Sequence, residues 1–242
     1  HGGARSMHMG AGTMALAIDS AIEKAGRVAA TLLQTDIEEL SFDKGAFLTR
    51  KDQRSVSIIE VASAARNSDV MPSLGENGID TFYKREEAPF TFPNGCHAAE
   101  VEIDPDTGSL TLVNYVMVDD YGSLVNPALT EGQLHGGVVQ GIGQALEEFV
   151  AFDPETGQLL SGSLMDYTAP RAASFPFFKA HFQGVPTEAN LLGVKGVGQA
   201  GCIAAPQVIT HAVLNALQEY NIDHIQMPIT SQSLWRSIQA AS

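Results

Sequence analysis

Residues 97–120 read HAAEVEIDPDTGSLTLVNYVMVDD. Two runs that alternate apolar and polar residues flank Pro105-Asp106-Thr107-Gly108, in which proline presets the backbone and glycine marks the reversal. The stretch predicts a β-hairpin. On its C-terminal side, Leu124–Phe152 reads as a loop entering a helix dotted with glycines, followed by a second turn, DPETGQ. Residues 163–187 hold LMDYTAPRA and the strand candidate FFKAHFQGV; a long helix from about Ile203 to Tyr220 and a short terminal helix complete this half. On the N-terminal side, apolar residues recur at helical spacing from Thr13 to about Gln34, at Met14, Ala17, Ile18, Ile22, Ala25, Val28, Ala29 and Leu32. Strand-like pieces (LSFDKGAFLTR, SVSI) and a further helix (IEVASAARN) follow, and residues 68–95, rich in Pro, Gly, Asn and Asp, read as a long excursion. Strands and helices alternate irregularly, so the expected class is α+β, in one or two lobes, rather than a doubly wound sheet.

The balance of 14 basic against 28 acidic residues gives a net charge of −14, which disfavours nucleic acid and anionic membrane surfaces. Any site for an anion must therefore be built from local donors. No apolar run reaches the roughly 20 residues that span a bilayer, and no secretory signal is visible. Cys96 and Cys202 lie far apart and follow no metal-ligand spacing, which points to a reducing, cytoplasmic setting while leaving a single disulfide open. The chain opens on His1 inside a glycine-rich run, so the expectation is a piece of a longer product or one side of a subunit boundary.

Three glycine-bearing segments carry candidate chemistry. Gly3-Ala4-Arg5-Ser6 precedes a helix, where backbone N–H groups and the helix dipole favour an anion; from these residues alone an ordinary glycine turn with a surface arginine is the default reading. In GQLHGGVVQGIGQ, Gly132, Gly136, Gly137, Gly141 and Gly143 would each cost a helix roughly 1 kcal/mol relative to alanine. Close approach of a flat ligand, with Gln133 and Gln140 as uncharged hydrogen-bonding groups, explains them; so does tight helix–helix packing. His97 and His135 have no partner at metal-ligand spacing, and no metal ligands are assigned. LLGVKGVGQAG (191–201) matches neither a dinucleotide fingerprint nor a phosphate loop.

The order of the hairpin, DYGSLVNPALTEGQLHGGVVQGIGQALEE, LMDYTAPRA and GVKGVGQAG resembles the molybdenum hydroxylases, the family of xanthine dehydrogenase, aldehyde oxidoreductase and aerobic carbon monoxide dehydrogenase. The likeness is to the C-terminal part of their molybdopterin-binding large subunit. It covers nearly the whole chain and is weakest across residues 35–85.

That resemblance implies that residues 1–242 form a C-terminal molybdopterin-binding domain, with the upstream half of the large subunit elsewhere. The cofactor would be molybdenum held by molybdopterin, in its simple form or as the cytosine dinucleotide. Gly3, Ala4, Arg5 and Ser6 would lie against its phosphate end; Gln133, Gly136, Gly137 and Gln140 would form a second cofactor-facing segment, and Lys195, Gly196 and Gly198 a third. Iron–sulfur centres and FAD would reside on partner domains, and the substrate would be an aldehyde, an N-heterocycle or a similar small molecule. At Gln199 the family pattern has a glutamate that acts as general base. An amide is far too weakly basic for that role near pH 7, and losing a positioned base typically lowers a rate by about 100- to 10,000-fold. Gln199 is therefore compatible with a base supplied by another group, an engineered inactivation, or a cofactor-binding relative that has lost the reaction. The chain alone is expected not to turn over.

Overall fold

The computed structural model describes residues 3–67, 78–85 and 89–241. The expected excursion at 68–95 falls partly outside them, at 68–77 and 86–88. The described residues group into two compact units, Met9–Ala88 and His1–His8 with Pro89–Ser242.

In the unit Met9–Ala88, helix α1 (Gly12–Leu33) matches the predicted span to within a residue and buries Ala25, Val28, Ala29 and Leu33. It stops at Gln34, which turns left-handed (φ 49°) and returns its N–H to the carbonyls of Ala30 and Thr31. Strands β1 (Leu40–Asp43), β2 (Ala46–Thr49) and β3 (Ser55–Ser57) form an antiparallel meander. Lys44 and Gly45 both take positive φ, as a two-residue hairpin turn between β1 and β2 requires. Helix α2 (Ile58–Ala65) starts at a reciprocal cap: the Ser57 hydroxyl accepts from the Glu60 N–H, and the Glu60 carboxylate accepts from the Ser57 N–H. Val28, Ala29, Leu40, Phe47, Val61 and Ala65 make the core.

The larger unit contains the predicted hairpin. Strands β4 (Asn94–Ile103) and β5 (Leu110–Asp120) pair antiparallel with a bulge at Glu100/Val101, and β6 (Lys179–Phe182) pairs parallel to β5 on its other side. The Asp104 carboxylate accepts from the Asp106 N–H and the Thr107 hydroxyl, which fixes the turn; Gly108 completes it at φ 68°. Asp153 is bonded in the same manner by Glu155 and Thr156 in the second turn.

Helix α3 (Pro127–Leu146) begins at Asn126, whose side chain accepts from the Leu129 N–H, with proline in the first turn. Helix α4 (Ala200–Ala216) starts three residues before the expected Ile203, and a 3₁₀ turn at Gln218–Tyr220 follows it. Helix α5 (Ser231–Ala241) ends the described chain. The inward face of β5, carrying Tyr115, Met117 and Asp119, and Tyr121 just beyond it are buried with residues of α3 and α4 that include Leu134, Val138, Ile142 and Ile209. Each of those aliphatic side chains contributes roughly 1.5–3 kcal/mol through burial. Among the described residues no helix is long and apolar enough to cross a membrane.

Candidate functional site

The three glycine-bearing segments, far apart in sequence, are neighbours in the larger unit. Gly3 and Ala4 both take positive φ (65° and 53°), and the chain becomes helical directly afterwards, with a π-helical stretch over Ser6–Ala11. A Cβ placed on Gly196 would lie 2.8 Å from the Ala4 Cβ, so the first and third segments touch. The Gln133 amide donates to the Gly198 carbonyl at 2.8 Å, which joins the second to the third. A cavity of about 430 Å³ lies among them, with Met7, Leu129, Gln133, Lys195 and Val197 in its wall.

Helix α3 presents two rows of glycine. A Cβ on Gly141 would lie 2.7 Å from the Ala205 Cβ and 2.9 Å from the Pro206 Cδ; on Gly137 it would lie 3.1 Å from the Cys202 nitrogen. Gly201 answers from α4, where a Cβ would lie 2.5 Å from the Leu134 carbonyl oxygen. These three glycines let α3 and α4 approach backbone to backbone. Gly143 does the same for the segment LMDYTAPRA, since its Cβ would lie 2.4 Å from the Pro170 ring. Gly132 and Gly136 meet nothing within 4 Å and, with Gln133 and Gln140, lie exposed. Gly137, assigned from the sequence to the cofactor-facing segment, is thus buried against α4, while Gln133, Gly136 and Gln140 share the open face.

Lys195 does not stand alone. Its amine donates to Asp120 Oδ2, while Oδ1 of the same carboxylate accepts from the Gly122 and Val185 N–H groups at 2.8 Å each. Burial of the Asp120 carboxyl opposes its ionisation, but the Lys195 amine and the two N–H donors outweigh it and hold its pKa at about 2. Asp120 was not among the residues singled out in the sequence. The signal available was the pair Asp119-Asp120 at a strand end, because alternation sends neighbouring side chains to opposite faces.

The inward partner of that pair, Asp119, meets the His97 ring at 3.2 Å, and the other ring nitrogen lies 3.0 Å from the Tyr115 hydroxyl. The His97 and Asp119 side chains are 2% and 5% exposed. Burial and, secondarily, the Asp119 charge push the Tyr115 and Tyr121 hydroxyls upward from their ordinary pKa. Gly95 makes the space, since a Cβ there would lie 1.9 Å from Asp119 Oδ1. Cys96 and Cys202 are free thiols, and no group of three or more metal-ligating side chains occurs among the described residues.

Gln199 is exposed at the N-terminus of the 17-residue α4. Its carbonyl accepts from the Ile203 N–H, and its side-chain amide makes no capping bond. The amide is thus held at the mouth of a helix dipole, beside the open Gly198.

Residues 1–176 match the family model of the molybdopterin cofactor-binding domain. The chain is 33% identical over 237 residues to the nicotine 6-hydroxylase large subunit of Paenarthrobacter nicotinovorans, covering 97% of this chain and 29% of that one. It is 29% identical over 238 residues to the carbon monoxide dehydrogenase large chain of Hydrogenophaga pseudoflava, with 98% and 29% covered. The crystal structure of a Cu,Mo-CO dehydrogenase superposes with a TM-score of 0.87 at 28% identity, over 100% of this chain and 30% of that one. The chain therefore spans about three-tenths of the length of these relatives. With the α+β fold, the gathered glycine segments and the matched model in agreement, the chain belongs to the molybdopterin cofactor-binding domain family.

Proposed function

We propose that the chain is the cofactor-holding C-terminal part of a molybdenum hydroxylase-type enzyme. Such an enzyme oxidises an aldehyde, an N-heterocycle or a similar small substrate with oxygen derived from water. The observation that carries this is the junction of the three segments through Ala4 with Gly196 and Gln133 with Gly198. The large subunits to which the chain is similar are those of a nicotine hydroxylase and a carbon monoxide dehydrogenase, which supports the reaction class.

The residues fit the group. Open space at Gly136 and Gly198, the neutral amides of Gln133 and Gln140, and the loop Gly3–Ser6 offer donors and room. When bound, molybdopterin with its molybdenum supplies the two-electron redox chemistry, in the simple or the cytosine dinucleotide form. The chain's share is to hold the group: Gly3, Ala4, Arg5 and Ser6 at the anionic end, and Gln133, Gly136, Gln140, Gly196 and Gly198 along the pterin. Gln199 can donate or accept a hydrogen bond near the reacting atoms. It cannot remove a proton. The upstream half of the large subunit completes the pocket, and iron–sulfur and flavin partners in a cytoplasmic complex carry the electrons away.

Gln199 also favours a second reading, a cofactor-binding or assembly module that no longer catalyses. The two separate in the full-length protein purified with its partners and assayed for molybdenum, pterin and substrate-dependent dye reduction. In the enzyme reading, Gln199→Glu raises kcat at least about a hundredfold, the lower end for a restored general base, and adds a carboxylate to the rate profile. Gln199→Ala leaves cofactor content unchanged. Cofactor without turnover on any substrate, even in Gln199→Glu, selects the module. A fall in substantial existing activity on Gln199→Glu shows that the base lies elsewhere.

A further inference from the structure

The carboxylate of Asp120 gathers donors from three separate segments: Gly122 just beyond β5, Val185 beyond β6, and Lys195 in the glycine loop. The Lys195 and Asp120 side chains are only 12% and 16% exposed. Around them the segments are packed backbone to backbone. The Lys195 N–H donates to the Tyr121 carbonyl and the Ser123 N–H to the Gly193 carbonyl, each at 2.9 Å. A Cβ on Gly122 would lie 2.2 Å from the Gly193 oxygen, and one on Gly184 would lie 2.2 Å from the Gly122 oxygen. The Gly122, Gly184 and Gly193 backbones thus leave no gap between them, and Lys195 borders the cavity with its amine already turned to Asp120.

We infer that Asp120 is a positioning residue for the loop Gly193–Gly198, and that Lys195 acts as its counter-charge rather than as a direct ligand for an anion. The inference deepens the proposed function and rests on it for the claim that this loop faces the cofactor. A shielded ammonium already bonded to a carboxylate gains little from a distant phosphate, whereas removing either partner leaves an uncompensated buried charge. Breaking the pair frees the segment that sets Gly196 against Ala4 and the Gly198 carbonyl against Gln133. The ionised form of Asp120 persists down to about pH 2, so the latch stays closed across the physiological range.

The test is amide hydrogen exchange on the full-length protein, free of cofactor and loaded with it, with cofactor content measured in parallel. In the cofactor-free protein, Asp120→Asn and Lys195→Met each speed exchange of the Ser123 and Lys195 amides at least about tenfold, the loss of a charge-assisted bond. The double variant is no faster than either single one, Lys195→Arg stays near wild type, and the β4–β5 hairpin amides do not change. In the loaded protein, both single variants retain less cofactor. The inference is overturned if Asp120→Asn leaves exchange and cofactor content unchanged while Lys195→Met loses cofactor, as a direct ligand would. Should no preparation bind cofactor, the functional proposal fails, and cofactor-free exchange still decides whether the latch exists.

Discussion

The two glycine rows of α3 differ in what they face. Gly137 and Gly141 lie so close to α4 that any Cβ would press on its backbone or on Ala205 and Pro206, whereas Gly132 and Gly136 meet nothing within 4 Å. One helix thus uses the same residue for two ends. The buried row lowers the distance between helices, and the open row removes side chains from a surface beside Gln133 and Gln140. A glycine-dotted helix therefore does not identify a ligand face until the turn-by-turn placement is known, because both uses carry the same propensity cost.

The largest effect separating the rows is expected from Gly141→Val. Its Cβ would lie 2.7 Å from the Ala205 Cβ and 3.0 Å from the Cys202 carbonyl oxygen, so α3 and α4 must part. The expected loss is about 3 kcal/mol, read as a lower denaturation midpoint. An unchanged midpoint would show that the helices are not clamped there.

Next comes the loop that the open row meets through Gln133, which Asp120 anchors. Its folded pKa of about 2 lies below the ordinary carboxylate value near 4, so its stabilisation is complete above about pH 4 and is lost as pH falls through 2. Over that window Asp120 should account for roughly 2 kcal/mol of acid destabilisation. Asp120→Asn should flatten the curve by that amount, and an unchanged acid limb would refute the assignment.

The smallest effect is expected from Gly136→Ala on the open row. With nothing within 4 Å of the new methyl, the helix gains up to about 1 kcal/mol in stability, seen in thermal unfolding. In the assembled protein the same change should lower cofactor retention. Greater stability with full retention would mean that the open row faces only solvent.

The hairpin and α1 were legible because their signals are local: a proline–glycine turn between alternating runs, and an apolar period of 3.6. The parallel pairing of β6 with β5 was not, since the partners are some sixty residues apart and no turn announces them. The start of α4 at Ala200 was hidden by Gly201, which reads as loop but serves the approach to Leu134. Gln199 offered no capping side chain to mark the boundary either. At the candidate site, Gln133, Gly136 and Gln140 were singled out by residue type and by the resemblance, and the structure leaves them on one exposed face. Gly137 was singled out with them but turned inward. Lys195 was assigned through the resemblance, and its partner 75 residues away lay beyond any local pattern.

The neighbouring acids at the end of β5 have a consequence for how the strand finds its alignment. A slip by one residue moves every side chain to the opposite face. Here a slip keeps a carboxylate at only one of the two sites: Asp120 would come to His97 while Tyr121 came to Lys195, or Asp119 would come to Lys195 while Val118 came to His97. This corner of the sheet therefore senses the error at one of its two charge contacts. Alignment is enforced also by Tyr115, Met117 and Tyr121, which the slip would expel from the core, and by Gly108, whose left-handed turn fits directly against the Ser231 carbonyl oxygen. A deletion within Pro105–Gly108 would therefore be punished by aromatic exposure, a broken turn and one charged partner left without its carboxylate.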